Sequence, residues 1–238
     1  MTNIITIFQK EFKSYFSSPV AYIFIISFLV VTSWLFIRTF FIADQSSMRP
    51  FFSLLPWIFL FLAPAITMRS WAEEKKLGTI EILMTLPVKG WEIVVGKFLS
   101  GFFFLILTVC LTFPLAVTVY MLGSPDMGPI WGGYLGAFLL GGAYLAIGLF
   151  ASSITENQIV SFIIAIIICF AFLVIGEDFV VFYAPSSIVP ILSYLGLGAH
   201  FQSIGRGVID SRDILYYLSI IVFFLFLNHI AIEQKNRI

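Results

Sequence analysis

The run Gly90-Trp91-Glu92-Ile93-Val94-Val95-Gly96-Lys97 invites comparison with a phosphate-binding loop. Such a loop needs four residues between its glycines and a Ser or Thr after the lysine to hold magnesium. Here five residues separate the glycines and Phe98 follows the lysine. Nucleotide is therefore not held by that motif. No H-E-x-x-H pair exists to bind zinc. His200 with Glu177 and Asp178 is a weak metal set, and no metal is expected on it. Cys110 and Cys169 fall in apolar runs and read as small buried hydrophobes.

The elements that carry these residues are apolar. Of 238 residues, 60% are hydrophobic and 11% are charged, and Phe occurs 28 times. Soluble proteins average roughly 45–50% apolar and about 25% charged. A soluble globule of this length lacks the interior to hide so many apolar side chains. Lys plus Arg and Asp plus Glu each number 13, so no net charge seeks nucleic acid. The chain reads as an integral membrane protein.

Charge-free gaps locate the spans. Residues 14–37, 50–68, 98–125, 127–155, 157–176 and 214–232 contain no Asp, Glu, Lys or Arg. Each gap can cross a hydrocarbon core, which needs about 20 apolar residues as helix. The predicted spans are about 20–41, 51–68, 97–121, 131–153, 158–176 and 214–232. A seventh gap, 179–205, is interrupted by Pro185, Pro190, Gly196 and Gly198. It reads as two short helices that dip into the outer leaflet and return, with the whole re-entrant segment at 179–209. Arg206 and Asp210, four apart, would hold its exit on one helical face.

Lysine and arginine set the orientation. Six spans place Lys10, Lys13, Arg69, Lys75, Lys76, Lys89, Lys97, Lys235 and Arg237 on the cytoplasmic side, against Arg38, Arg49, Arg206 and Arg212 outside. Both termini are then cytoplasmic. No cleavable signal peptide is expected. Within 3–17, Ile4, Ile7, Phe8, Phe12, Tyr15 and Phe16 recur at helical spacing opposite Gln9, Lys10 and Lys13. That predicts an amphipathic elbow helix on the inner surface. Pro56 and Pro64 predict a kink in span two. Gly132, Gly133, Gly136, Ala137 and Gly141 form a small-residue stripe on span four, suited to close packing with a helix of this chain or of another. Asn228 and His229 near the inner end of span six read as snorkelling polar residues.

Residues 69–95 form the long cytoplasmic stretch. Leu77, Ile80, Leu83 and Met84 make one apolar face among Glu73, Glu74, Lys75, Lys76 and Glu81. Gly78-Thr79 predicts a break between two short helical pieces, with Thr79 capping the second. Pro87 ends that piece, and a short amphipathic helix from Trp91 leads into span three. The segment reads as a rigid knob with an apolar tip, made to dock into a cleft on another protein.

The pattern Arg69-x-x-x-Glu73-Glu74, Gly78-Thr79, Glu81, Leu83, Leu86-Pro87, Trp91-Glu92 and Gly96-Lys97 resembles the first cytoplasmic loop of ABC type-2 permeases. Phe12-x-x-Tyr15-Phe16-x-Ser18-Pro19 is similar to their elbow. His200-Phe201 through Arg206-Gly207-Val208-Ile209-Asp210 is similar to their outer segment before the last span. Within the family the chain most resembles the gliding-motility permease branch.

The resemblance implies that Glu73, Glu74, Gly78, Thr79, Glu81, Leu83 and Pro87 form a coupling helix seated on a separate cytoplasmic ATPase. It also implies an outer gate of Pro185, Pro190, Gly198, His200, Arg206 and Asp210. The expected protein is an all-α, single-domain permease in a bacterial inner membrane. It would be a non-catalytic subunit working as an exporter or mechanotransmitter. ATP and magnesium would sit on two copies of the partner ATPase. A second permease chain, homologous or identical, would complete the assembly within the lipid. An ion-coupled carrier or channel is the alternative, and it is disfavoured because no span carries an acid at mid-depth.

Overall fold

A computed structural model describes residues 2–43, 47–85 and 87–235, and every regular element among them is helical. Leu86 and Arg237 lie outside the described residues, as do the side chains of Phe41, Met84, Asp178 and Lys235. The helices are α1 (Thr2–Ser17), α2 (Pro19–Ala43), α3 (Arg49–Thr67), α4 (Ala72–Lys76), α5 (Thr79–Thr85), α6 (Gly90–Cys110) and α7 (Phe113–Leu122). They continue with α8 (Met127–Ser153), α9 (Gln158–Val174), α10 (Asp178–Tyr183), α11 (Val189–Leu195), α12 (Leu197–Gly205) and α13 (Ser211–Lys235).

Among the described residues five helical runs are long and apolar enough to cross a membrane: Pro19–Phe40, Arg49–Lys76, Gly90–Leu122, Met127–Ser153 and Ser211–Glu233. The sixth expected span is α9, an apolar helix of 17 residues. α8 is the hub, with 78% of its most apolar window buried, and α2 is peripheral at 22%. Glycine explains the hub. A Cβ at Gly132 would stand 2.3 Å from the Ile204 carbonyl oxygen of α12, and one at Gly133 would stand 2.3 Å from the Phe52 ring of α3. At Gly141 it would meet Leu105 of α6 at 2.7 Å, and at Gly148 the Thr67 hydroxyl at 2.1 Å. The stripe is filled by this chain's own helices, so it is not a free face for a second copy.

Several expected details change. α3 carries Pro56 and Pro64 in its interior, as the sequence places them. α6 is continuous from Gly90, so no separate helix precedes span three. Instead the run turns at Leu111 and Thr112, and Pro114 starts α7. The re-entrant segment contains three helices, α10 to α12, with Pro185 in the break after α10 and Gly196 between α11 and α12, while Pro190 lies in the first turn of α11 and Gly198 inside α12. Of these α12 is packed into the bundle, with Leu197, Phe201 and Ile204 buried, and α11 has no buried residue.

Candidate functional site

Both short helices of the 69–95 segment are tied down. The Ser152 hydroxyl, near the end of α8, accepts from the Trp71 and Ala72 amides at 3.0 and 3.1 Å. It donates to the Met68 carbonyl at 3.1 Å. These amides open α4 and would otherwise lack partners, as the first amides of any helix do. The Lys75 ammonium donates to the Ser153 carbonyl. Trp71 is fully buried.

Lys97 is the centre of the junction. It is 2% exposed, seven residues into α6. Its ammonium donates to Glu74 of α4 at 2.7 Å, to Glu11 of α1 at 3.2 Å and to the Ser70 carbonyl at 2.9 Å. It also lies 4.8 Å from the centre of the Trp71 ring, on whose face a cation is attracted. A buried ammonium is tolerated only with such partners. One cation faces two carboxylates, and Glu74 Oε2 is buried with no hydrogen-bond partner. The three helices α1, α4 and α6 thus meet at one atom.

α1 is clamped along its length. Asn3 donates to Glu92 at 3.1 Å, and the same carboxylate caps the Lys89 amide at 3.0 Å. A Cβ at Gly96 would meet Ile7 at 2.7 Å, so only glycine lets α1 lie this close to α6. The glycine-lysine pair that resembled a phosphate loop therefore serves packing and ion pairing. Tyr15 stacks on Phe104 with ring centres 5.1 Å apart. Desolvation pushes its phenol up, and Glu11 adds to the effect. A cavity of about 390 Å³ opens beside the junction, lined by Lys10, Glu11, Arg69, Glu73 and Glu74 among others.

The expected coupling residues divide into two groups. Ile80 and Leu83 pack against the protein's own core, so the apolar face is an anchor and not the tip. What protrudes is Leu77, 67% exposed, with Gly78, Thr79, Glu81 and Pro87. The break is at Gly78, whose φ of +69° favours glycine. The Thr79 hydroxyl donates back to the Glu74 carbonyl at 3.3 Å. Glu73 is half-buried on the cavity wall.

At the other end of the bundle, His200 uses both ring nitrogens inside the fold. Nδ1 is 2.6 Å from Asp213 and Nε2 is 2.8 Å from the Tyr194 carbonyl. The ring stacks on Tyr216 at 4.0 Å. It is thus not available to a metal with Glu177. Tyr217 donates to the Leu197 carbonyl at 2.7 Å. α12 is latched to α13 in this way. Gly198 is buried beside Glu177, and Pro185 and Pro190 are exposed. Gly207, at φ +90°, turns the chain between Arg206 and Asp210, so the two do not share a helical face. Asp210 instead accepts from the Arg212 amide at 2.9 Å, opening α13.

Glu11 and Lys97 are absent from the residues expected to act. The signal for Glu11 is present: it stands four residues from both Ile7 and Tyr15, on the apolar stripe of α1. Lys97 carries no comparable mark, because a lysine at the start of a span reads as an orientation charge. Asn228 is fully buried, so it does not snorkel, and His229 pairs with Glu233 at 3.3 Å.

A family model described as ABC-2 family transporter protein matches residues 29–228, which spans α3 to α12 and most of α2 and α13. Among curated proteins no relative matches the chain.

Proposed function

The chain belongs to the ABC-2 family of transporter proteins, a membrane permease subunit without catalysis of its own, and from that premise we propose that it transmits the work of a separate ATPase. The observation that carries this reading is the Lys97 junction, which joins α4, at the base of the exposed tip of Leu77, Gly78, Thr79 and Glu81, to α1 and α6. A loop held by one ammonium and by Ser152 moves as a rigid lever. A push at Leu77 and Glu81 would tilt α3 and α6 together. The energy enters as the ATPase binding one position of the lever more tightly than the other.

In this reading two cytoplasmic ATPase copies carry ATP and magnesium, and the direction of transport is export. α9 crosses as the sixth span. Its 17 residues reach about 25 Å at 1.5 Å each, close to a hydrocarbon core near 30 Å. Both termini face the cytoplasm of a bacterial cell. A second permease chain pairs with this one in the membrane, a different homologous chain as in the gliding-motility branch.

Co-purification of the full chain with its ABC ATPase tests the reading. Glu81→Lys places an opposing charge at the exposed tip. Such a change at a charged interface can cost several kcal/mol, so capture of the ATPase should fall more than about tenfold. The permease should insert and unfold as before, because Glu81 is exposed and outside every predicted span. Unchanged capture together with unchanged ATP turnover overturns the proposal.

A further inference from the structure

A second cavity, of about 430 Å³, lies at the opposite end of α3 from the loop. Arg49, Phe52, Glu177, Phe201, Gln202 and Arg206 define it. Arg49 opens α3 and Arg206 closes α12, so two distant parts of the chain each bring one guanidinium to one hollow. Neither guanidinium has an ion pair or side-chain hydrogen bond among the described residues. Among the described residues the one carboxylate on the wall is Glu177, against two guanidiniums. The Gln202 amide is exposed and adds a neutral donor. The Ser53 hydroxyl also lines the cavity but already donates to the Pro50 carbonyl at 2.9 Å.

The chemistry is that of an oxyanion receptor. Guanidinium presents a planar fork of donors that fits two phosphate oxygens at once. The surroundings narrow the source of the phosphate. Phe52 and Phe201 form an apolar floor. Just beyond Glu177, α10 exposes Phe179, Phe182 and Tyr183 at 59%, 81% and 85%. Aromatic side chains of this kind settle at headgroup depth in a bilayer. We propose that this cavity binds the phosphate of a membrane phospholipid headgroup, with Arg49 and Arg206 as its two ligands and Gln202 as a supporting donor.

Gly205 supplies a means of closing the site without touching its charges. It lines the cavity, and a Cβ built on it meets nothing within 4 Å. A side chain there starts into open space at the cavity wall.

The test titrates the full chain in dodecyl maltoside with three probes: dihexanoyl phosphatidylglycerol, inorganic phosphate and uncharged dihexanoylglycerol. The midpoint of thermal unfolding is the readout. The phospholipid should raise the midpoint and dihexanoylglycerol should not. Arg49→Gln and Arg206→Gln should each weaken the apparent affinity by about tenfold or more, since each removes a charge-assisted contact. Gly205→Trp should abolish the shift. The two arginine variants should unfold like the unaltered chain when no probe is present, because neither guanidinium has a side-chain partner among the described residues. An equal shift with inorganic phosphate makes the free ion the ligand of the same two arginines. No shift, or a shift that survives in the Arg49→Gln/Arg206→Gln double variant, overturns the site.

Discussion

Lys97 Nζ stands 2.7 Å from a Glu74 carboxylate oxygen, and this pair spans 23 residues of chain across the base of the protruding loop. Glu11 approaches the same ammonium from α1 at 3.2 Å. The group is asymmetric, with one cation serving two anions, and this decides how substitutions behave.

Lys97→Met should be costly. It leaves two carboxylates without a cation in a largely buried site. Removing one partner of a fully buried pair costs about 3–5 kcal/mol. Both carboxylates are about one-fifth exposed (21% and 22%), so solvent reduces the figure to about 2 kcal/mol. Glu11→Gln should cost under about 1 kcal/mol, because it leaves one cation with one anion and removes a like-charge repulsion. Thermal unfolding of both variants in detergent checks the order. Equal losses would show that Glu11 and Glu74 do not share the ammonium.

The two glycines of α8 that face α12 should differ sharply. At Gly132 an added methyl would lie 2.3 Å from a backbone carbonyl, which cannot step aside. Gly132→Ala should cost about 1–3 kcal/mol through displacement of α12. At Gly136 the nearest atoms are the Phe201 ring at 3.2 Å and an Ile204 methyl at 3.4 Å, which can yield slightly. Gly136→Ala should stay within about 1 kcal/mol of the unaltered chain. Comparable unfolding midpoints for the two variants would contradict the close approach at Gly132.

The sixth crossing is checked by cysteine labelling in a background where Cys110 and Cys169 are replaced. Asn157 immediately precedes α9 and Tyr183 ends α10, which follows it, and both are exposed. A cysteine at Tyr183 should react with an impermeant reagent from outside, and one at Asn157 only after permeabilisation. Lys76 should behave like Asn157, and Gly123 and Ser211 like Tyr183. Labelling of the Asn157 and Tyr183 positions from one side would leave five crossings and move the C-terminus to the other face.

Much of this molecule is written in its one-dimensional pattern. Charge-free stretches mark the membrane helices, since a charge within hydrocarbon is expensive wherever the chain folds. The 3.6-residue stripe of Ile4, Ile7, Phe8, Phe12 and Tyr15 marks α1. Gly78 marks the turn between α4 and α5, where a left-handed backbone is disfavoured for other residues. These features are local, and local sterics or solvation determine them. The partners are not local. Ile80 and Leu83 present the same apolar face whether it meets a foreign cleft or this chain's core, and only packing turns it inward. The glycines of α8 permit close approach without naming Phe52, Leu105 or Ile204 as the neighbours. Lys97 reads as an orientation charge until the fold brings Glu11, 86 residues away, and Glu74 to the same atom. A buried ion pair depends on distances between helices, and those are set by tertiary packing.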